Sequence, residues 1–117
     1  IHAQGRMAEA RPVCERSLSI LERDAGKDHP ILINPLNTLA AVNYGEGRYV
    51  QAELLLRRAL AICEKTPGGD RPEMASVLDN LSMLYKVLER PIEAEFYGQR
   101  ARKIHVKMGA AGKPPGR

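Results

Sequence analysis

The sequence predicts an all-α protein, an α-α superhelix of about five antiparallel helices that form roughly two and a half repeats. When the chain is shifted by 42 residues against itself, 12 of 42 aligned positions are identical. Each unit contains two segments whose apolar residues recur at helical spacing, which is typical of amphipathic helices. Turns rich in Gly and Pro separate these segments, and aromatic residues make up only 4% of the chain, which argues against a β-sandwich.

The first helix is predicted from about Met7 to Asp24, on an apolar stripe that includes Val13, Leu18 and Leu21. By its place in the period it is the second helix of a unit whose first helix is missing or only a stub. We therefore expect it to expose apolar surface unless further repeats of a parent protein, or a second copy of the chain, cover it.

A proline delays the start of the second helix. Inside a helix Pro35 would cost about 3 kcal/mol, because it removes a hydrogen bond and clashes with the preceding turn. In the first turn the missing N–H costs little. We therefore expect Asn34 to cap this helix and Pro35 to begin it, and we expect the helix to end at residues 45–47.

Helical periodicity predicts the third helix from about Ala52 to Cys63, and the Thr-Pro-Gly-Gly sequence at residues 66–69 ends it. The fourth helix follows at once, and the side chains of Asp70 and Glu73 have the spacing of a capping box at its start.

The fifth helix is predicted from Pro91 to about Met108. The repeat domain thus covers residues 1–108, and residues 109–117 are predicted to be a flexible, basic C-terminal tail.

The charge of the chain is unevenly distributed. The net charge is +4 and the pI is about 9.3. The last 22 residues hold six of the 18 basic residues and no acidic residue, so residues 1–95 carry 12 basic and 14 acidic residues, a net charge of −2. Because residues 1–95 are nearly neutral, binding to a polyanion is disfavoured, and we do not expect nucleic acid as a partner.

The sequence also disfavours a membrane-spanning protein and a protein stabilised by disulfides. No run approaches the roughly 20 apolar residues of a membrane span, so no membrane association is expected. Cys14 and Cys63 both fall in apolar helical patterns, which indicates two reduced core thiols and predicts a cytoplasmic protein.

Four sequence motifs identify a family resemblance. They are GRYVQAELLLRRALAICEK at residues 47–65, GKDHP at 26–30, LNTLAAV at 36–42 and LDNLSML at 78–84. Small residues recur with the period where helices come close, at Ala52, Ala59, Ala94 and Ala101. These motifs resemble tetratricopeptide repeats (TPR) of the long, kinesin-light-chain type. The resemblance implies a TPR solenoid that is not an enzyme and serves as a protein–protein interaction scaffold.

In the resembled family the first helix of each unit lines a concave face that holds a peptide or protein partner. Carried over by position, the implied lining is Asn34, Asn37, Thr38, Ala41 and Tyr44 from the second helix, and Ser76, Asp79, Asn80, Met83 and Lys86 from the fourth. Asn80 matches the second Asn of the family's LNNLA motif, and its amide can both donate to and accept from a ligand backbone. Lys86 is the one cation of the set, so recognition of an acidic C-terminal peptide is not expected.

The third unit departs from the family pattern. Glu89 replaces the Gly between the helices, and Gly98 replaces a bulky apolar residue. We expect a terminal unit that is less tightly stacked.

Catalytic and cofactor sites are not expected. No His lies at ligand spacing from another His, Cys or Glu, and no Gly-rich phosphate loop or nucleophile motif occurs. We therefore predict no catalytic residues, no metal and no cofactor. His29, in the GKDHP turn, is expected to be structural.

Two alternatives to the groove remain open. Arg100, Lys103 and Lys107 share one helix face and form a possible basic stripe for phosphate or an acidic partner, or simply a solvated surface. The alternative function is a regulatory or oligomerisation segment of a larger signalling protein, which self-associates through exposed terminal helices.

Overall fold

The computed structural model describes the backbone of residues 2–67 and 71–112, and the side chains of residues 9–67 and 71–109. All elements in these ranges are helical, as predicted. They are α1 (His2–Ala25), a short 3-10 turn (Pro30–Leu32), α2 (Ile33–Gly45), α3 (Tyr49–Lys65), α4 (Pro72–Val87) and α5 (Pro91–Gly112).

The helices form an α-α superhelix of successive pairs. Helix α2 packs on α3 and α4 packs on α5, while α1 contacts α2, and α3 and α2 both contact α4. Residues 46–48 and 88–90 form the turns within the two pairs. Connections this short make the paired helices antiparallel neighbours.

The two turns adopt the same left-handed backbone conformation at equivalent positions. Gly47 has a φ of 78° and Glu89 has a φ of 58°. Glycine takes up this conformation at little cost, whereas a residue with a side chain is strained there. Because Glu89 adopts the same conformation as Gly47, its replacement of the family's glycine leaves the shape of the turn unchanged.

Small residues bring the helices close together in the core. Ala52, Ala59 and Ala101 are completely buried. A Cβ placed on Gly98 would lie 3.0 Å from the Oγ atom of Ser82, so α5 approaches α4 closely at this point. The looser packing expected from Gly98 is therefore not seen at this contact, because glycine here provides room for a neighbouring helix.

The late start of α2 is confirmed, but its cap is not the predicted one. The helix begins at Ile33, and Pro35 lies in its first turn. Asn34 lies inside the helix, because the preceding 3-10 turn runs directly into it. His29 caps that turn, since its Nδ1 atom accepts a hydrogen bond of 3.0 Å from the backbone N–H of Ile31.

Helix α1 differs from its prediction in length and in burial. It begins at His2 rather than near Met7 and contains Pro12. Val13 is 65% exposed, as expected, but Leu18 is only 7% exposed and belongs to the hydrophobic core. The expectation for Leu18 was wrong because its side of the helix is covered even without a preceding helix.

The boundaries of α4 and α5 also need correction. Helix α5 continues to Gly112 instead of ending near Met108, because Ala110 and Ala111 favour a helix. Residues 109–112 of the predicted tail thus belong to the helix, whereas Asp70 and residues 113–117 lie outside the described residues. The residue that precedes α4 is Arg71, whose side chain makes no capping hydrogen bond.

Candidate functional site

A polar ladder joins α2 to α4 along the predicted groove. The Nδ2 atom of Asn37 donates a 3.0 Å hydrogen bond to the Oγ atom of Ser76, and the Nδ2 atom of Asn80 donates one of 2.7 Å to the Oδ1 atom of Asn37. Both polar atoms of the Asn37 amide are thereby engaged. The Oδ1 atom and the second N–H of Asn80 have no hydrogen-bond partner among the described residues.

A cavity of about 110 Å³ lies beside this ladder. Its walls come from α2, α3 and α4, and they are Ala40, Ala41, Tyr44, Leu56, Asn80 and Met83. Met83 is 49% exposed, whereas Leu56 is buried. The lining of the cavity is therefore mostly apolar, and Asn80 is the lining residue that carries a side-chain amide.

Two predicted groove residues line a different cleft. Asn34 and Thr38 line a cleft together with Val13, Cys14 and Ser17 of α1. Asn34 and Thr38 therefore do not line the cavity beside Asn80. A cluster around Asn80 faces the cavity between α2 and α4, and the pair Asn34 and Thr38 faces α1.

The charged members of the predicted lining lie outside the cavity. The Oδ2 atom of Asp79 is 2.8 Å from the Nε2 atom of His105 on α5, and both side chains are about half exposed. Lys86 is exposed near the end of α4. Neither residue lines the cavity, which therefore has an uncharged wall.

Arg100, Lys103 and Lys107 share one face of α5, as their spacing predicts, and they line a shallow cleft with Met74 and Ile104. The Nη2 atom of Arg100 already donates a 3.1 Å hydrogen bond to Glu64 on α3. An ion pair of this kind is typical of a solvent-exposed surface where two helices meet.

A network of charged side chains around the hydroxyl of Tyr85, on α4, was not predicted from the sequence. The buried hydroxyl of Tyr85 donates a 2.6 Å hydrogen bond to Glu53 and accepts bonds of 3.0 and 2.6 Å from Arg57. The guanidinium of Arg90 lies 4.7 Å from the centre of the Tyr85 ring and 3.5 Å from Glu53. A signal was present, because a tyrosine at a fully buried helix position needs a hydrogen-bond partner.

The network shifts the pKa values of Glu53 and Tyr85. Burial would raise the pKa of the Glu53 carboxyl, but hydrogen bonds from Tyr85 and Arg57 outweigh burial and lower it. Burial, together with the hydrogen bond to Glu53, raises the pKa of Tyr85 to about 12. The phenol therefore stays protonated and acts as a structural donor.

The described residues hold no group of three or more His, Cys, Asp and Glu side chains placed to bind a metal ion. Among the helices that the structure describes, none combines the length and apolar character needed to cross a bilayer.

The fold and the ladder define the chain as a helical-repeat protein of the superhelical class. The model of the tetratricopeptide repeat family matches residues 1–65 and 37–105, and the chain belongs to this family. The family predicted from the motifs is thereby confirmed. TPR proteins generally serve as protein–protein interaction modules. A comparison with curated proteins gives no match.

Among solved structures, the chain is similar to the crystal structure of BtubC (BKLC) from P. vanneervenii, with a TM-score of 0.80 and 23% identity. The match covers 95% of this chain and 44% of that one, so the chain spans less than half of the solved protein. This likeness confirms the predicted fold.

Proposed function

We propose that the protein is a non-catalytic interaction scaffold that binds a peptide segment of a partner protein in the groove along α2 and α4. The cavity beside Asn80 carries this proposal. Its volume of about 110 Å³ is of the order of one aliphatic side chain, and its wall is mostly apolar.

The polar ladder determines how a peptide backbone is held. Asn37 uses one N–H and its Oδ1 atom within the ladder, and the latter contact positions the amide of Asn80. Asn80 keeps one donor and one acceptor available, which is the pair that an extended peptide unit requires. The groove therefore recognises an uncharged segment with one aliphatic or methionine side chain next to the gripped peptide bond.

A random peptide library displayed on phage, panned against the purified chain, tests this proposal. We expect enrichment of sequences with one aliphatic or methionine anchor, whose affinity depends little on salt because the cavity wall is uncharged. Ala41→Leu fills the cavity and should abolish binding, whereas Ala61→Leu, an equal enlargement at an exposed position on α3, should leave it unchanged.

Asn80→Ala should weaken binding of the selected peptides by about two- to tenfold, the effect of one net hydrogen bond. Enriched peptides that bind the Ala41→Leu variant as well as the parent chain would refute the groove proposal. Binding that collapses between low and moderate salt would instead favour the stripe of Arg100, Lys103 and Lys107.

Self-association is the second candidate, because apolar side chains recur on the outer face of the second helices. Val50 and Leu54 on α3 are exposed, and so are Ile92 and Phe96 at the equivalent positions of α5. Sedimentation velocity over a range of concentrations separates the two candidates. A monomer at all concentrations excludes self-association and leaves the groove proposal standing.

A further inference from the structure

A cleft lies where α1, α2 and α3 meet, apart from the peptide groove. Its volume is about 240 Å³, which exceeds the roughly 150 Å³ of an engineered apolar cavity that holds benzene. None of its lining residues belongs to the cavity beside Asn80. We call it the three-helix cleft, and its lining is Glu15, Leu39, Asn43, Arg48, Gln51, Leu54 and Leu55.

The following unit shows which group fills the equivalent place. Adding the 42-residue period to Asn43 gives Tyr85, whose side chain is completely buried. The ring of Tyr85 stacks on Tyr97 at 5.6 Å, and the guanidinium of Arg90 lies 4.7 Å from its centre. An aromatic ring is therefore the group that this place in the repeat accommodates.

The cation that faces the ring is present in both units. Arg48 takes the place of Arg90, and its Nε atom donates a 3.1 Å hydrogen bond to the Oδ1 atom of Asn43. Arg90 is paired with the carboxylates of Glu53 and Glu93. Arg48, by contrast, has no ion-pair partner among the described residues. Its charge is therefore available to the face of a ring that lies in the three-helix cleft.

The apolar walls are also kept, but the ring itself is not. Leu55 takes the place of Tyr97, and Leu39 takes the place of Leu81. Asn43 does not fill the space between them. Its Nδ2 atom donates a 3.0 Å hydrogen bond to the backbone carbonyl of Leu39 one turn earlier, which holds the short side chain against its own helix. The three-helix cleft is thus an aromatic site without its ring.

Two opposite charges stand where the hydroxyl of such a ring would lie. The hydroxyl of Tyr85 bonds to Glu53 and Arg57. The equivalent positions are Arg11 and Glu15, whose side chains are 3.6 Å apart. A phenol hydroxyl both donates and accepts, so it can donate to Glu15 and accept from Arg11 even though the two charges have exchanged places. The cleft therefore favours tyrosine over phenylalanine.

We propose that the three-helix cleft binds the ring of a tyrosine on a partner protein, in the way that the following unit holds its own Tyr85. Leu54 of the lining is 65% exposed, and Val50, one turn before it on α3, is 64% exposed. Exposed apolar side chains beside a cleft favour a polypeptide, which covers them, over a free small molecule. This inference does not depend on the peptide groove.

N-acetyl-tyrosine amide is the probe for the cleft, with N-acetyl-phenylalanine amide as its matched control. In NMR spectra of the methyl groups, the tyrosine probe should shift Leu39, Leu54 and Leu55 in a saturable manner and leave Leu84 of α4 unchanged. It should bind about two- to tenfold more tightly than the phenylalanine probe, the effect of one hydrogen bond. Equal affinities would overturn the role of the charged pair, and no saturable shift would overturn the site.

Asn43→Tyr fills the cleft from within the chain. It should abolish the shifts caused by the tyrosine probe. It should also raise the midpoint of urea unfolding relative to Asn43→Ala, which leaves the cleft open. A midpoint below that of Asn43→Ala, or a chain that does not fold, would show that the cleft does not accept a ring and would overturn the proposal.

Arg48→Gln removes the cation that faces the ring. It should weaken binding of the tyrosine probe by about two- to fivefold, the range of an exposed cation–π contact. Arg23→Gln, at an exposed position two turns beyond Glu15 on α1, is the matched control and should have no effect. Equal affinities of these two variants would overturn the placement of the ring against Arg48.

Three further results decide where the ring comes from. A peptide with a leucine on each side of its tyrosine should bind about fivefold or more tightly than the tyrosine probe, because it covers Leu54; equal affinity would overturn the protein source. Probe shifts that persist in Asn43→Tyr but vanish in Ala41→Leu would place the ring in the peptide groove. Shifts of Leu54 that grow with the concentration of the parent chain, and that Phe96→Ala removes, would assign the cleft to a second copy and overturn the proposed partner.

Discussion

The hydroxyl of Tyr85 provides a sharp test of the network that joins α3, α4 and α5. Tyr85→Phe keeps the fully buried ring, its stacking on Tyr97 at 5.6 Å and the cation–π contact with Arg90. It removes only the hydrogen bonds with Glu53 and Arg57. A hydrogen bond to a charged group contributes about 1.5–3 kcal/mol, and Glu53 and Arg57 still pair with each other at 3.2 Å in the variant.

We therefore expect Tyr85→Phe to lower the free energy of unfolding by about 2 kcal/mol. Urea titration at pH 7 measures this change, and the corresponding fall in Tm is about 8 °C. Tyr97→Phe is the matched control, because the Tyr97 hydroxyl has no hydrogen bond among the described residues. It should change stability by less than about 0.5 kcal/mol.

The pH dependence follows from the lowered pKa of Glu53. A carboxyl with a lowered folded-state pKa stabilises the fold above its ordinary value of 4.5 and loses this contribution as the pH falls through the folded value. The difference in the free energy of unfolding between Tyr85→Phe and the parent should thus be constant near neutral pH and shrink below about pH 4.5. A difference below 0.5 kcal/mol at pH 7, or an equal loss in Tyr97→Phe, would refute the reasoning.

Further predictions concern backbone strain, close packing and high pH. Glu89→Gly should stabilise the chain by about 0.5–1 kcal/mol and Gly47→Ala should destabilise it by about 1–2 kcal/mol, both measured by urea unfolding, because both positions have a positive φ. Gly98→Ala should cost about 1 kcal/mol in the same assay, because its Cβ meets Ser82, and the added change Ser82→Ala should relieve this clash. Stability should fall between about pH 10 and pH 12, because the raised pKa of Tyr85 favours the folded state only while the phenol is protonated; pH-dependent thermal melts check this.

The period in the sequence was sufficient to predict the helices and their pairing. The start of α2 near Pro35 and the structural role of His29 also followed from local chemistry. The orientation of Asn34 and Thr38 did not, because the face that a helix presents to its neighbour depends on the rotation between successive units. No local pattern encodes that rotation.

The charged network escaped prediction for a related reason. Glu53, Tyr85 and Arg90 come from three elements, and their side chains meet only after the helices have packed. The sequence shows an apolar face on α4 with a tyrosine in it, but it does not show which charges approach the hydroxyl. The burial of Leu18 was misjudged because a missing helix uncovers only one side of α1.

The position of the network also affects how the chain loses its structure. Glu53 lies on α3, whereas Arg90 lies in the turn between α4 and α5, so their contact joins one helix pair to the next. Linear arrays commonly fray from their ends, since each unit touches only its neighbours. A contact that must break before α4 and α5 can separate from α3 opposes such fraying, so α2 to α5 should exchange their backbone amide hydrogens as one cooperative block.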